Sequence, residues 1–133
     1  MKIFGNDGFR SEFGQQYMTM EFLTSFGHGL VDYYKKRNLN MPIVIGKDTR
    51  SSGLIIENLL LSILNYRGIH TISCGVIPTP GLSNRLKSGA YSMGIMITAS
   101  HNPFCDNGIK LFAGNGYKIS APEESLIEEC ILK

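Results

Sequence analysis

The sequence predicts an α/β fold, a three-layer α/β/α domain built on a mostly parallel, mixed sheet. Three observations predict it. Short apolar runs of the buried-strand kind, such as Ile43-Val44-Ile45, alternate with segments of helical period. The loops GKDTRSSG, GVIPTPG and TASHNP each follow a strand-like run. A length of 133 residues suits one domain with a real core but not comfortably two, so residues 1–133 are read as a single domain.

The elements follow in order. Residues 3–13 read as a short strand broken at Gly5–Gly8. From Thr19 to Lys36 the apolar positions Phe22, Leu23, Phe26, Leu30, Tyr33 and Tyr34 recur at helical spacing, with Thr19 as N-cap and Lys35-Lys36-Arg37 suiting the C-terminal end of the dipole. Gly27 and Gly29 each cost that helix roughly 1 kcal/mol relative to alanine, which points to close packing against a neighbour. The strand Ile43–Ile45 follows, then a helix over Gly53–Tyr66 that stops at Gly68. Ile69–Cys74 reads as a strand, VIPTPG as a loop stiffened by Pro78 and Pro80, and Leu82–Lys87 as a short helix. A strand over Ser92–Thr98 precedes Ser-His-Asn-Pro; Asp106-Asn107-Gly108 reads as a turn, and Ile109–Phe112 as the strand after it. A last helix, Glu123–Leu132, starts at Pro122 with acidic residues in its first turn.

Composition narrows the function. Thirteen basic and eleven acidic side chains leave a net charge of +2, too little to imply nucleic-acid binding. No apolar run reaches the roughly 20 residues of a membrane helix, and MKIFGNDGF does not read as a signal peptide. Cys74, Cys105 and Cys130 are odd in number and widely spaced, which fits a reduced, cytoplasmic protein and indicates neither a disulfide framework nor a zinc site.

In sheets of this kind ligands gather where loops leave the carboxyl ends of the strands, so the three loops should share one rim. Ser100 beside His101 suggests a nucleophile, yet neighbours in an extended chain point apart and no GxSxG elbow is present, which disfavours a hydrolase. GKDTRSSG lacks the spacing of a phosphate-binding P-loop. A phosphoryl-carrying Ser100 fits better. Arg10, Lys47, Arg50, His101 and Lys110 lie on segments able to share the rim and neutralise a dianion. Lys110, a lysine in an apolar run, is a candidate proton-transfer group. Plainer readings stand beside these: Ser100 as a backbone cap, His101 as a loop donor, Arg10 paired with Asp7 or Asp48, and Lys47-Asp48-Arg50 as a solvated helix entrance. The acidic cluster Glu123-Glu124 and Glu128-Glu129 reads as a solvated helix face.

Taken together, the motifs resemble those of the α-D-phosphohexomutase family. TASHNP (98–103) is similar to its phosphoserine loop, followed by DNGIKLF (106–112); GNDGFRS (5–11), GKDTRSSG (46–53) and GVIPTPG (75–81) are similar to its other conserved segments. Asn6 and Ser11 depart from the usual threonine and glycine of the opening motif. The wording is most like the phosphoglucosamine mutase branch. The resemblance implies that Ser100 carries the phosphoryl group and gives one oxygen to Mg²⁺. It implies that His101 supports it, that Lys110 acts as general acid/base, and that Arg10 faces the site. Lys47, Asp48, Arg50 and Asn102 would bind substrate or support the loop. The substrate would be a hexose phosphate, with no nucleic acid or membrane partner. Because the family builds its site from four domains and this chain matches the first, the chain alone is expected to be an isolated or truncated, inactive domain. The alternatives are a phosphomannomutase/phosphoglucomutase domain, or a stand-alone phosphosugar- or protein-binding module.

Overall fold

Residues 2–131 are described by the computed structural model. In chain order they form β1 (Phe9–Glu12), a 3-10 turn (Gln16–Met18), α1 (Met20–Lys36), β2 (Ile43–Lys47), α2 (Ser52–Tyr66), β3 (Thr71–Val76), α3 (Thr79–Leu86), β4 (Met93–Ile97), β5 (Asp106–Ala113) and α4 (Ala121–Ile131). The sheet order is β1-β5-β4-β2-β3. β2 runs parallel to β3 and β4, whereas β5 is antiparallel to both β4 and β1. β5 alone therefore opposes the common direction, and the sheet is mixed but mostly parallel.

The layering follows from chain handedness. The steps β2→β3 and β3→β4 move in opposite senses along the sheet, so right-handed crossovers place α2 and α3 on opposite faces. α1 and α4 join α2 on the first face, where Phe26, Leu30, Ile56, Leu60 and Ile127 pack on Ile43, Ile45, Ile95, Ile97 and Ile109. On the second face α3 stands alone, laying Leu82 and Leu86 on Val44, Met96 and Phe112. The three-layer α/β/α reading holds, with unequal outer layers.

α1 forms where its period places it. The Thr19 Oγ1 accepts a hydrogen bond from the Phe22 N–H at 3.1 Å and caps it. A Cβ on Gly27 would lie 2.9 Å from the Ile63 side chain, and one on Gly29 would lie 2.9 Å from the Ile131 backbone. The two glycines thus bring α1 against α2 and α4, as their cost inside a helix suggests.

Several boundaries differ from the sequence reading. The opening strand is confined to Phe9–Glu12, because the chain folds back on itself between Gly5 and Gly8. Thr79-Pro80-Gly81 belongs to α3, not to a loop: Pro78 is the N-cap and Pro80 sits in the first turn, where a missing N–H costs nothing. Asp106-Asn107-Gly108 is not a turn. It opens β5, paired with Glu12, Ser11 and Arg10, and the reversal falls earlier in the Ser100 loop. A partner strand outweighs a local turn preference. The predicted end of the last helix, Leu132, lies outside the described residues.

Of the acidic cluster of α4, Glu129 is exposed as expected, but the other three carboxylates are not a solvated face. Glu124 is buried. The Glu128 carboxylate accepts the backbone N–H groups of Ile3 (2.6 Å) and Phe4 (2.9 Å), tying the start of the chain to α4. Glu123 accepts from Arg37 Nε at 2.9 Å and from the Tyr33 hydroxyl at 2.7 Å. Hydrogen bonding to Arg37, then to Tyr33, holds the Glu123 carboxyl below the usual carboxylate range. Burial pushes the Glu124 carboxyl up, against the pull of Lys118.

Gly29→Ala is expected to destabilise the protein by about 1–3 kcal/mol despite alanine's better helix propensity, because the new methyl meets backbone; urea unfolding measures this. Glu123 is the more acidic in the folded state, so its contribution is present above the ordinary carboxylate value and is lost as pH falls through the folded one. Glu123→Gln should therefore lower Tm at pH 7, and the gap to the unsubstituted protein should close below about pH 4. Glu124 works in the opposite sense in both proteins and cancels from the comparison.

Candidate active site

Because β2, β3 and β4 are parallel, the loops leaving Lys47, Val76 and Ile97 emerge at one edge of the sheet, as expected of a ligand-binding rim. The Ser100 loop lies at the centre of that edge. Ser100 itself is exposed and has φ +55°, a left-handed conformation that costs a non-glycine residue on the order of 1 kcal/mol. Such strain persists only where neighbours over-determine it.

The neighbours are two arginines. Arg50, 8% exposed, is ion-paired to Asp48 and donates from Nη2 to the carbonyls of Ser100 (3.2 Å) and Asn102 (2.7 Å). Asp48 in turn accepts from the Thr98 hydroxyl at 2.7 Å, and the same Thr98 oxygen accepts the Ser100 N–H at 3.0 Å. From the other side, Arg10 Nη1 donates to the Ala99 carbonyl (3.3 Å) and to Asn102 Oδ1 (3.1 Å). Asn102 then donates to Asp106 at 3.0 Å. With its carbonyls drawn to guanidinium groups, the loop leaves Ser100 exposed, its hydroxyl without a hydrogen bond among the described residues.

Arg10, Asp48, Arg50 and Asn102 therefore converge on the loop around Ser100. Arg10 also makes the expected ion pair with Asp7, at 3.7 Å. Lys47 does not converge. It faces α2, where its Nζ lies 3.0 Å from the buried Glu57 carboxylate, whose other oxygen accepts from Ser73 at 2.7 Å. Its expected place on the cationic rim is corrected: strand alternation points Lys47 to the helical face. Asp48 and Arg50 are likewise no solvated helix entrance, for their ion pair is largely withdrawn from water. His101 is exposed on the loop, with no hydrogen bond or ion pair among the described residues. Lys110 is half-buried on β5 opposite Met96, on the same sheet face as Arg10, and lines a cleft of about 210 Å³ with Asp7, Phe112 and Lys118.

Three contributors escape a reading of the sequence. Thr98 stands there only as part of a motif, yet it links Asp48 to the Ser100 amide. Asn107 has the look of a turn residue; it is fully buried and donates to the Ser52 hydroxyl at 2.8 Å, joining β5 to the start of α2. Glu57 is an acid inside a strongly apolar helix, and that misplacement in the pattern is the available signal.

Among the described residues no group of three or more acidic, histidine or cysteine side chains is placed to hold a metal ion. The two carboxylates of the loop network are already engaged, Asp48 by Arg50 and Thr98 and Asp106 by Asn102. The residues present do not by themselves fit a Mg²⁺ site.

A strained, exposed serine between two arginine clamps on the rim of a mixed α/β/α sheet defines a class of domain. All 133 residues match the family model of phosphoglucomutase/phosphomannomutase, alpha/beta/alpha domain I, and the chain belongs to that family. Among curated relatives it is 44% identical over 131 residues to a phosphoglucosamine mutase of Syntrophus aciditrophicus, covering 98% of this chain and 29% of that protein. It is 46% identical over 129 residues to a phosphoglucosamine mutase of Helicobacter pylori strain Shi470, covering 97% of this chain and again 29% of the relative. The chain thus spans less than a third of the curated relatives it matches. Of solved structures, one from Thermus thermophilus, assigned as a phosphomannomutase, superposes with a TM-score of 0.88 at 29% identity, over 96% of this chain and 29% of that one. The Paramecium pp63/parafusin structure shares the fold, with a TM-score of 0.81 at 23% identity, over 98% of this chain and 25% of that one.

Arg50→Lys keeps the charge but cannot reach Asp48 and two carbonyls together. It is expected to cost about 2–4 kcal/mol and to speed amide exchange in 99–105 by about tenfold or more relative to β2 and β4; hydrogen-exchange mass spectrometry measures this.

Proposed function

We propose that this chain is the phosphoserine-bearing domain of a phosphoglucosamine mutase-like enzyme, and that Ser100 is the phosphoryl carrier. The observation that carries the reading is the exposed Ser100, held at φ +55° by carbonyl contacts from Arg50 and Arg10. A serine used only as a cap would turn its hydroxyl to the backbone; here the backbone bonds of the loop are made by others.

In the proposed reaction the phosphoryl group passes from Ser100 Oγ to the free hydroxyl of glucosamine 6-phosphate. The resulting 1,6-bisphosphate reorients, and its other phosphoryl group returns to Ser100, leaving glucosamine 1-phosphate. The P–O bond to serine breaks as the bond to sugar oxygen forms, and Lys110 takes the hydroxyl proton and later restores it. Arg10 lends charge from the sheet face it shares with Lys110, and His101 from the loop. Asp48, Arg50 and Asn102 hold the loop. The family resemblance implies Mg²⁺; Ser100 would offer it one oxygen, the other ligands would have to come from outside this chain, and the chemistry it would supply there is neutralisation of phosphoryl charge. The sugar preference rests on the named relatives, so a phosphomannomutase or phosphoglucomutase remains the second reading.

The 133-residue chain alone is expected to show negligible Mg²⁺-dependent conversion of glucosamine 6-phosphate; robust turnover would overturn that. A hybrid in which this chain replaces the matching segment of the Helicobacter pylori enzyme is expected to be active, and Ser100→Ala in the hybrid should lower kcat by about a thousandfold or more. A hybrid that keeps its rate without the Ser100 hydroxyl would end the carrier reading.

A further inference from the structure

We infer that Gly108 is a positioning residue: its missing side chain is the gap over which Arg10 crosses β5 to reach the Ser100 loop. This rests on the reading of that loop as the functional one.

The topology creates the problem that Gly108 solves. β5 lies between β1 and β4. Arg10, on β1, is paired with Gly108, while the Thr98 N–H donates to the Gly108 carbonyl from the opposite side at 2.9 Å. The atoms that Arg10 contacts, the Ala99 carbonyl and Asn102 Oδ1, belong to the segment after β4. The guanidinium must therefore pass over the width of β5, at the residue directly opposite its own Cα. A Cβ at position 108 would sit 2.8 Å from the Arg10 Cβ, 2.8 Å from the Thr98 carbonyl oxygen and 2.5 Å from that of Phe9. The closest of these is the Phe9 carbonyl; the contact with Arg10 falls at the base of its side chain, where no change of rotamer farther out can relieve it.

Position 108 also has φ outside the left-handed region, so no backbone conformation demands glycine there. What demands it is space. The neighbouring Lys110, two residues on and on the same face, bears a full side chain, so the gap is local to the crossing. Through Gly108 the edge strand β1 gains a hold on a loop two strands away, and Arg10 becomes the counterpart of Arg50 on the far side of Ser100.

The test is a cycle of Gly108→Ala, Arg10→Gly and the double variant in the 133-residue chain. It is read by amide exchange over 99–105 and by the NMR signal of the Arg10 guanidinium. Gly108→Ala should speed loop exchange at least as much as Arg10→Gly does, about tenfold, and strip the guanidinium of its protection; in the double variant the two effects on loop exchange should be less than additive, and full additivity would overturn the inference. If Gly108→Ala folds and leaves the guanidinium protected, the inference fails. If Gly108→Ala does not fold, the double variant decides. Recovery of the fold once Arg10 is removed supports the crossing, whereas a double variant equally unfolded assigns the glycine to the Phe9 and Thr98 carbonyls alone and overturns it. None of these readings uses phosphoryl transfer, so failure of the Ser100 carrier reading would appear separately, in the hybrid enzyme.

Discussion

Arg50 reaches from the end of β2 to the end of β4 and is almost wholly withdrawn from water when it arrives. A buried guanidinium is tolerable only where a carboxylate and several acceptors meet it. Asp48 supplies the charge and the loop after β4 supplies two carbonyls. The constraint runs both ways: the arginine needs the loop carbonyls as acceptors, and the loop, giving them up, leaves its serine exposed. Among the described residues the Nε of Arg50 is buried without a protein partner, so even this network is not fully satisfied. Such incompleteness is common where geometry serves a site more than stability.

Around that contact the sheet acts as a frame. Parallel β2, β3 and β4 deliver their loops to one edge, and the antiparallel β5 returns from that edge carrying Asn107, Gly108 and Lys110. The alternation of β5 divides the work between faces: Asn107 turns to α2 and fixes Ser52, two residues after Arg50, while Gly108 and Lys110 turn to the face shared with Arg10. Both arginines that border Ser100 are thus indexed to the same short stretch of one strand.

A second polar centre lies away from the rim. Glu123, Arg37 and Tyr33 join the end of α1 to the start of α4, and Glu128 holds the backbone of Ile3 and Phe4. Burial and the hydrogen bond to Glu123 push the Tyr33 phenol well above its ordinary value, so it stays a donor at any physiological pH. These contacts close the helical layer and share no residue with the Ser100 network, which leaves the rim free to carry strain.

The alternation of strands and helices, the Thr19 cap, the close packing of Gly27 and Gly29, and the gathering of three loops on one rim were legible in the sequence. Each follows from local periodicity or from the handedness of parallel connections, which need no knowledge of partners. The segments holding Ser100, Arg10, Asp48 and Arg50 were legible too, since a motif keeps its residues in order. Tertiary structure alone decided which side of its strand each residue faces and what it meets there. Lys47 and Arg50 are three residues apart and both cationic, yet one turns to Glu57 on α2 and the other to the Ser100 loop. Asp106-Asn107-Gly108 has the local chemistry of a turn, and only the presence of β1 beside it makes it a strand. Conformation can be read from neighbours in sequence; the partner of a buried charge, or the space above a glycine, is set by residues far away along the chain.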